Sequence, residues 1–256
     1  MKFYVCIKQV PDVYAPMQIK DGQVIQDADR NVLDAYSASA VEEALVLTEK
    51  HGGEVEVILV GPEKAKETIR KALAMGADKG VHIVTSGDEH FDSFSYSQIL
   101  SSYLSGKEYD VILTGKQAQD TDSGLTGGML AAILDLPYTT NAVGLESENG
   151  KMIVKRQGDT GQEIIELPTQ CLVSCSNDMN DPRIPSLKGI MASKRKPVDT
   201  VAISDLGMDA SNIAARTTIT RFEEKAARKA GQKYEGDAEE IARQVAQLLD
   251  TEANAL

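Results

Sequence analysis

VILTGKQAQDTDSGLTGG, residues 111–128, is the stretch that decides the fold. Val111–Thr114 is an aliphatic, β-branched run of the kind buried on both faces of a parallel sheet. Gly115 opens a long polar loop, and Met129–Leu134 then reads as a helix. In an open parallel sheet, ligands gather outside the carboxyl ends of the strands, near a reversal of strand order. The loop Gly115–Gly128 is therefore the candidate binding site. Free N–H groups at the helix start, the Ser123 and Thr126 hydroxyls and the glycines suit a phosphate. Asp120 and Asp122 suit ribose hydroxyls, adenine N–H groups or backbone donors better than phosphate. The same composition also serves as a plain turn, so the loop alone leaves both readings open.

Upstream, short apolar runs alternate with helical patterns, which indicates βαβ units. Phe3–Ile7 reads as the first strand, and Ala40, Val41, Ala44, Leu45 and Thr48 as one helix face ending at Gly52–Gly53. Val55–Val60 is the second strand, closed by Gly61–Pro62. A helix with Ile69, Ala72 and Leu73 inward stops at Gly76. Val81–Val84 is a strand, and Phe94, Ile99, Leu100 and Tyr103 mark an amphipathic segment. Downstream, Ala142–Glu148 and Lys151–Gln157 flank Asn149–Gly150, a two-residue hairpin signal. Ile164–Leu167 and Cys171–Ser174 read as further strands, and Pro182–Pro197 as a loop-rich segment with five basic residues and no acidic one. Beyond it the chain reads as an arm ending in a helix, with Asp237 and Glu240 as a capping-box start and Ile241, Val245, Leu248 and Leu249 as its apolar stripe. The fold class is α/β, a doubly wound, mainly parallel sheet with an antiparallel extension and a C-terminal arm. Residues 1–200 form the nucleotide-binding α/β domain and residues 201–256 the arm and helix.

Composition narrows the function. A net charge of −12, no Trp and 5% aromatic residues argue against a nucleic-acid partner. Cys6, Cys171 and Cys175 make no disulfide framework and fit a reducing cytoplasm. Cys171 and Cys175 lie in one apolar run with no second cysteine pair or nearby His, which reads as strand rather than metal site. No apolar stretch approaches the ~20 residues of a membrane span. Neither a P-loop nor a G-x-G-x-x-G follows a strand, and no G-x-S-x-G elbow appears. His51, His82 and His90 have no evident nucleophilic partner. The sequence does not read as an enzyme that makes or breaks substrate bonds alone.

Four stretches, in order, resemble the β (small) subunit of electron-transfer flavoproteins. They are Val5–Asp12 (VCIKQVPD), Ala40–Ala44 with Gly61–Pro62 and Glu67–Asp78, the loop with Gly115–Ala118, Asp120, Asp122, Thr126 and Gly127, and Pro182–Met191. The likeness covers residues 1–220 well and the tail more weakly. It implies a heterodimer with an α subunit that carries FAD, and electron transfer between a flavin-dependent dehydrogenase and a downstream acceptor. In this subunit's own pocket it implies AMP, or a second FAD in the electron-bifurcating branch. The resemblance assigns that pocket to Cys6, Asp34, Ala35, Tyr36, Ser37 and Val60, together with Gly115, Lys116, Gln117, Ala118, Asp120, Asp122, Ser123, Gly124, Leu125 and Thr126. It assigns partner docking to a Leu anchor, here Leu187, on a surface loop whose basic residues Arg183, Lys188, Lys194, Arg195 and Lys196 would steer the encounter.

The departures from the family pattern are Asp34–Ala35 in place of Asn-Pro, Leu125 in place of Gln, Val13 followed by Tyr14 in place of an aromatic, and a tight Asp159–Gly161 turn. Ala35 and Leu125 leave the pocket less committed to AMP, and Val10–Pro11–Asp12 resembles anaerobic relatives, which favours the second FAD. A stand-alone adenine-nucleotide-binding module is the rival reading. It shares the sheet but would want a Gly-rich phosphate loop after an early strand or late in the chain.

Overall fold

Every second residue of the first strand points to the same side of a sheet, and both sides are apolar here. The computed structural model describes residues 1–26, 30–87, 89–208, 213–224, 226 and 230–252. The chain opens with β1 (Lys2–Ile7), β2 (Gln9–Pro11), β3 (Met17–Lys20), β4 (Gln23–Gln26) and β5 (Asn31–Leu33). Helices and strands then alternate: α1 (Ala35–His51), β6 (Glu54–Gly61), α2 (Lys66–Met75), β7 (Lys79–Val84), α3 (Ser93–Leu104), β8 (Val111–Gly115) and α4 (Thr126–Ile133). Four strands follow, β9 (Tyr138–Glu148), β10 (Lys151–Gln157), β11 (Gln162–Pro168) and β12 (Cys171–Cys175). The chain continues through α5 (Leu187–Ser193), β13 (Val198–Ala202) and α6 (Ala238–Thr251).

Among the described residues one sheet runs in the order β11-β10-β9-β12-β8-β1-β6-β7-β13. From β9 to β13 every neighbouring pair is parallel, whereas β9, β10 and β11 pair antiparallel. Chain order moves outward from β1 through β6 and β7, then returns across β1 to β8. The reversal therefore falls between β1 and β8, the place where a doubly wound sheet opens a crevice. The α/β class and the antiparallel extension are as the sequence reads. Asn149 and Gly150 both take positive φ, 50° and 76°, as the turn between β9 and β10 requires.

Alternation in β1 sends Phe3, Val5 and Ile7 into one core layer with Val41, Leu45, Ile69 and Leu73. Tyr4 and Cys6 go to the other layer, with Ile99, Leu100, Ile112 and Leu130. Each such large side chain contributes about 1.5–3 kcal/mol on burial. The two layers fix α1 and α2 on one face and α3 and α4 on the other.

Two elements stand where the sequence reads loop and arm. Leu187–Ser193 is a helix of about two turns, capped by the Ser186 hydroxyl on the Gly189 amide. Val198–Ala202 is an edge strand, with Thr200 opposite His82 of β7. The apolar residues of α5, Leu187, Ile190 and Met191, stay exposed and β13 is paired along one edge only, so neither carries the unbroken apolar run of a buried element. The compact unit that includes them runs from Met1 to Arg221, and Phe222–Leu256 is a second unit that carries α6. The ladders β2–β5 and β3–β4 are only three and four residues long, too short for an alternating pattern to announce them. Among the described residues no helix is long and apolar enough to cross a membrane.

Candidate functional site

The crevice at the reversal is a cleft of ≈ 630 Å³, including its open mouth. Its floor is the carboxyl end of β1, β6 and β8, with Cys6, Ile7, Val60 and Thr114. One wall is the start of α1, with Asp34 and Ser37, and the other is α3, with Tyr96 and Leu100. The loop after β8 closes it, with Gly115, Lys116, Gln117 and Ala118 on one limb and Ser123, Gly124, Thr126 and Gly127 on the other.

Two glycines allow this closeness. A Cβ on Gly115 would lie 2.8 Å from Tyr36 Cβ, and one on Gly127 would lie 2.7 Å from Thr114 Oγ1. The loop holds its own shape. The Ala118 amide donates to Ser123 O at 3.0 Å, the Asp122 amide to Ala118 O at 2.8 Å, and Gln117 Nε2 to Asp122 Oδ1 at 2.8 Å. Asp122 takes φ 53°, a left-handed conformation that Asp tolerates better than most residues.

Asp34 ties the loop to α1. It caps the helix through the Ser37 amide at 2.8 Å and hydroxyl at 2.9 Å, and its other oxygen accepts from the Gln119 amide at 2.8 Å. Gln119 Oε1 in turn accepts from the Ala35 amide at 3.3 Å. Burial pushes the Asp34 carboxyl above its ordinary range, opposed by these donors and by Lys8. Lys8 Nζ pairs with Asp120 Oδ1 at 2.6 Å, so Asp120 braces the cleft by an ion pair. Lys116 lines the cleft on the limb of the loop that leaves β8. Burial lifts the Cys6 thiol to about 12, which keeps it protonated and inert at neutral pH. Burial also raises Tyr96, with smaller contributions from Asp120 and Glu89. Among the described residues the cleft wall carries no histidine. Its donors, hydroxyls and glycines suit binding.

Of the residues singled out in the sequence, Cys6, Asp34, Ser37, Val60, Gly115, Lys116, Gln117, Ala118, Ser123, Gly124 and Thr126 meet in this wall. Ala35, Tyr36, Asp120 and Asp122 support it from behind through the contacts just given. Leu125 is 64% exposed at the start of α4 and does not line it. Gly127 of the candidate loop lines it too, and Ile7, Lys8, Tyr96, Leu100 and Thr114 do so without having been singled out as binding residues. Thr114 abuts the loop and Lys8 follows the first strand, so position could have found them; Tyr96 and Leu100 arrive from α3 with no local signal.

A second cleft lies beside the first and shares Lys8, Val60 and Tyr96 with it. Gln9, Gly61, Pro62, Thr85, Glu89 and Phe91 continue its wall.

The electron transfer flavoprotein domain matches residues 21–206. The chain is 34% identical over 258 residues to the electron transfer flavoprotein subunit beta of Bacillus subtilis, covering 100% of both chains. It is 34% identical to the subunit of that name from Syntrophomonas wolfei, covering 97% of this chain and 96% of that one. The one from Bradyrhizobium diazoefficiens is 36% identical, with 95% and 97% covered. The chain belongs to the electron transfer flavoprotein family.

Electron transfer is thus its role, in association with flavin. The expected anchor of the family's docking loop, Leu187, is the first residue of α5 and 75% exposed. Ile184 at 91%, Met191 at 64% and Ile190 at 46% widen this into an apolar patch. The basic residues around it divide. Lys188, Lys194 and Arg195 are exposed. Lys196 Nζ is spent on carbonyls at and just past the end of α2, donating to Leu73 O at 3.1 Å, Gly76 O at 2.9 Å and Ala77 O at 2.6 Å. Arg183 is held between Glu42 and Glu49. Of the five basic side chains, Lys188, Lys194 and Arg195 are thus exposed, whereas Arg183 and Lys196 are engaged within the chain.

Proposed function

We propose that the chain is the β subunit of a heterodimeric electron transfer flavoprotein. With an α subunit that carries FAD, it passes electrons between a flavin-dependent dehydrogenase and a downstream acceptor. The cleft between β1 and β8 takes a second FAD, the arrangement of an electron-bifurcating carrier. The three cysteines, unbridged and buried, agree with work in a reducing cytoplasm.

The observation that carries the second FAD is the pair of adjoining clefts. A mononucleotide needs only the first. The shared wall of Lys8, Val60 and Tyr96 lets a longer ligand extend from the loop side towards Phe91 and Glu89. The donor set fits a nucleotide: loop amides and hydroxyls at the start of α4 for phosphate, Lys116 for its charge, and apolar Val60, Leu100 and Tyr96 for a ring. The flavin supplies the redox chemistry when bound, and the protein holds and orients it. Asp34 sets the loop against α1, and Gly115 and Gly127 let the backbone come close.

Cofactor content of the heterodimer purified with its α subunit tests this. Two FAD per heterodimer are expected. One FAD with AMP assigns the chain to the non-bifurcating form, and a nucleotide without any flavin returns the stand-alone adenine-nucleotide module.

A further inference from the structure

Between β12 and α5 the chain crosses α1 without helix or strand, and it needs side chains to hold it there. Asn180 Nδ2 donates to Ser39 O at 3.1 Å and Glu43 Oε2 at 3.0 Å. Three residues on, the Arg183 amide donates to Glu42 Oε2 at 3.0 Å. Its guanidinium reaches both oxygens of Glu42, Nε at 2.8 and 3.1 Å and Nη2 at 2.9 Å. It also reaches both oxygens of Glu49, Nη1 at 2.5 Å and Nη2 at 3.2 Å. Glu42 is only 7% exposed, and a carboxylate so buried needs a paired, hydrogen-bonded partner.

We infer that Arg183 is the positioning residue of the docking segment: it pins the chain to α1 immediately before Ile184 and Leu187 and so fixes where those two apolar side chains stand. Two carboxylates neutralise its charge, which leaves no net positive field for a partner. The planar fork suits the task, since one guanidinium spans two carboxylates and an ammonium does not. Arg183 is held strongly protonated by its bonds to Glu49 and Glu42, and those bonds lower Glu49 in return. The same helix is capped by Asp34, so α1 carries both the cleft wall and the docking segment on one rigid element.

This inference rests on the reading of Leu187 as the docking anchor, and its test separates the two. Heterodimers carrying Arg183→Lys, Glu42→Gln or Leu187→Ala are compared with wild type. The probe is a flavin-dependent dehydrogenase selected because it reduces the wild-type heterodimer. Stopped-flow reduction gives the KM for dehydrogenase, the limiting rate and the ionic-strength slope. Hydrogen exchange reads the amides of residues 183–191 without any partner. Arg183→Lys and Glu42→Gln are expected to speed that exchange and to raise KM about tenfold, one decade of affinity. Limiting rate, salt slope and flavin content stay as in wild type. Glu49→Gln, on the exposed side of the pair, gives the same direction if Glu42→Gln lowers the yield.

Steering by charge predicts the opposite pattern, with Arg183→Lys like wild type and Glu42→Gln lowering KM by releasing the guanidinium; either result overturns the inference. Unchanged exchange in Arg183→Lys overturns it alone. Faster exchange with KM unchanged in both Arg183→Lys and Leu187→Ala overturns the docking reading beneath it.

Discussion

Asp34 Oδ1 accepts the Gln119 amide at 2.8 Å across 85 residues of sequence, while Oδ2 caps α1 through the Ser37 amide. One buried carboxylate thereby joins the helix start to the loop of the cleft. Asp34→Ala removes a helix cap, worth about 1 kcal/mol, and orphans a loop donor, at about 1–3 kcal/mol. At roughly 2–4 °C per kcal/mol for a chain of this size, the melting temperature should drop several degrees. Nucleotide retained through gel filtration should fall as well. Asp34→Asn keeps one accepting oxygen for the cap but turns its NH2 towards the Gln119 amide, so it should recover only the capping part of the stability. A nucleotide content that stays at the wild-type level in Asp34→Ala would remove Asp34 from the cleft's support.

Asp92 does comparable work at the other end of the site wall. Oδ1 accepts from the Ser95 amide at 3.0 Å and caps α3, and Oδ2 accepts from the amides of Arg216 and Thr217 at 2.7 and 2.9 Å. Partial burial acts to raise its pKa, but the donated hydrogen bonds outweigh it and bring the carboxyl down to about 2. The sign follows from linkage: a folded pKa below the ordinary value of 3.8 adds stability that is complete above 3.8 and is lost as pH falls through about 2. Protection of the Arg216 and Thr217 amides against hydrogen exchange should therefore hold at pH 5 and collapse near pH 2. Asp92→Asn should show the weakened protection already at neutral pH. Equal protection factors in the variant and wild type at pH 7 would contradict this.

Much of this architecture is legible in the sequence because burial on both faces leaves unbroken apolar runs. Val55–Val60, Val81–Val84 and Val111–Thr114 lie within β6, β7 and β8. α5 and β13 escape such reading, since neither is wrapped on two sides. The loop of the cleft is legible from its composition and place after β8. Tyr96 and Leu100 are not, because only the packing of α3 on Ile112 and Leu130 brings them to the wall. Arg183 illustrates another limit. Composition shows a basic residue in a basic loop, while its partners Glu42 and Glu49 lie on a helix 134 or more residues earlier.

The helix α6 begins where Asp237 caps the Glu239 amide at 3.0 Å, and none of its residues is buried. Ile241, Val245 and Leu248 are half-buried on one stripe and Leu249 is 41% exposed. A stripe of this kind gains most when another surface covers it. With the α subunit as that surface, truncation before Gly236 should weaken heterodimer formation, read by analytical ultracentrifugation. The melting temperature of the isolated chain should move by no more than about 0.5 kcal/mol equivalent, the range of ordinary surface changes. A large loss of the chain's own stability with association intact would reverse the assignment.

Leu187 stands 75% exposed at the first position of α5, beside Ile184 and Met191. So little burial means its truncation costs the fold almost nothing, and Leu and Ala have similar helix propensity. A partner pocket that takes Leu187 gives it a different weight, because a well-filled anchor commonly carries ~2 kcal/mol. That corresponds to roughly a thirtyfold loss of affinity. Leu187→Ala should slow reduction of the heterodimer at subsaturating dehydrogenase by about that factor. Flavin content and melting temperature should match wild type. The exposed cations act differently: neutralising Lys188, Lys194 and Arg195 together should lower the association rate at low salt and flatten its salt dependence. If Leu187→Ala releases flavin or destabilises the chain, the residue is packed where its exposure says it is not. If it leaves reduction untouched while the triple neutralisation slows it, docking rests on charge and the apolar patch faces something else.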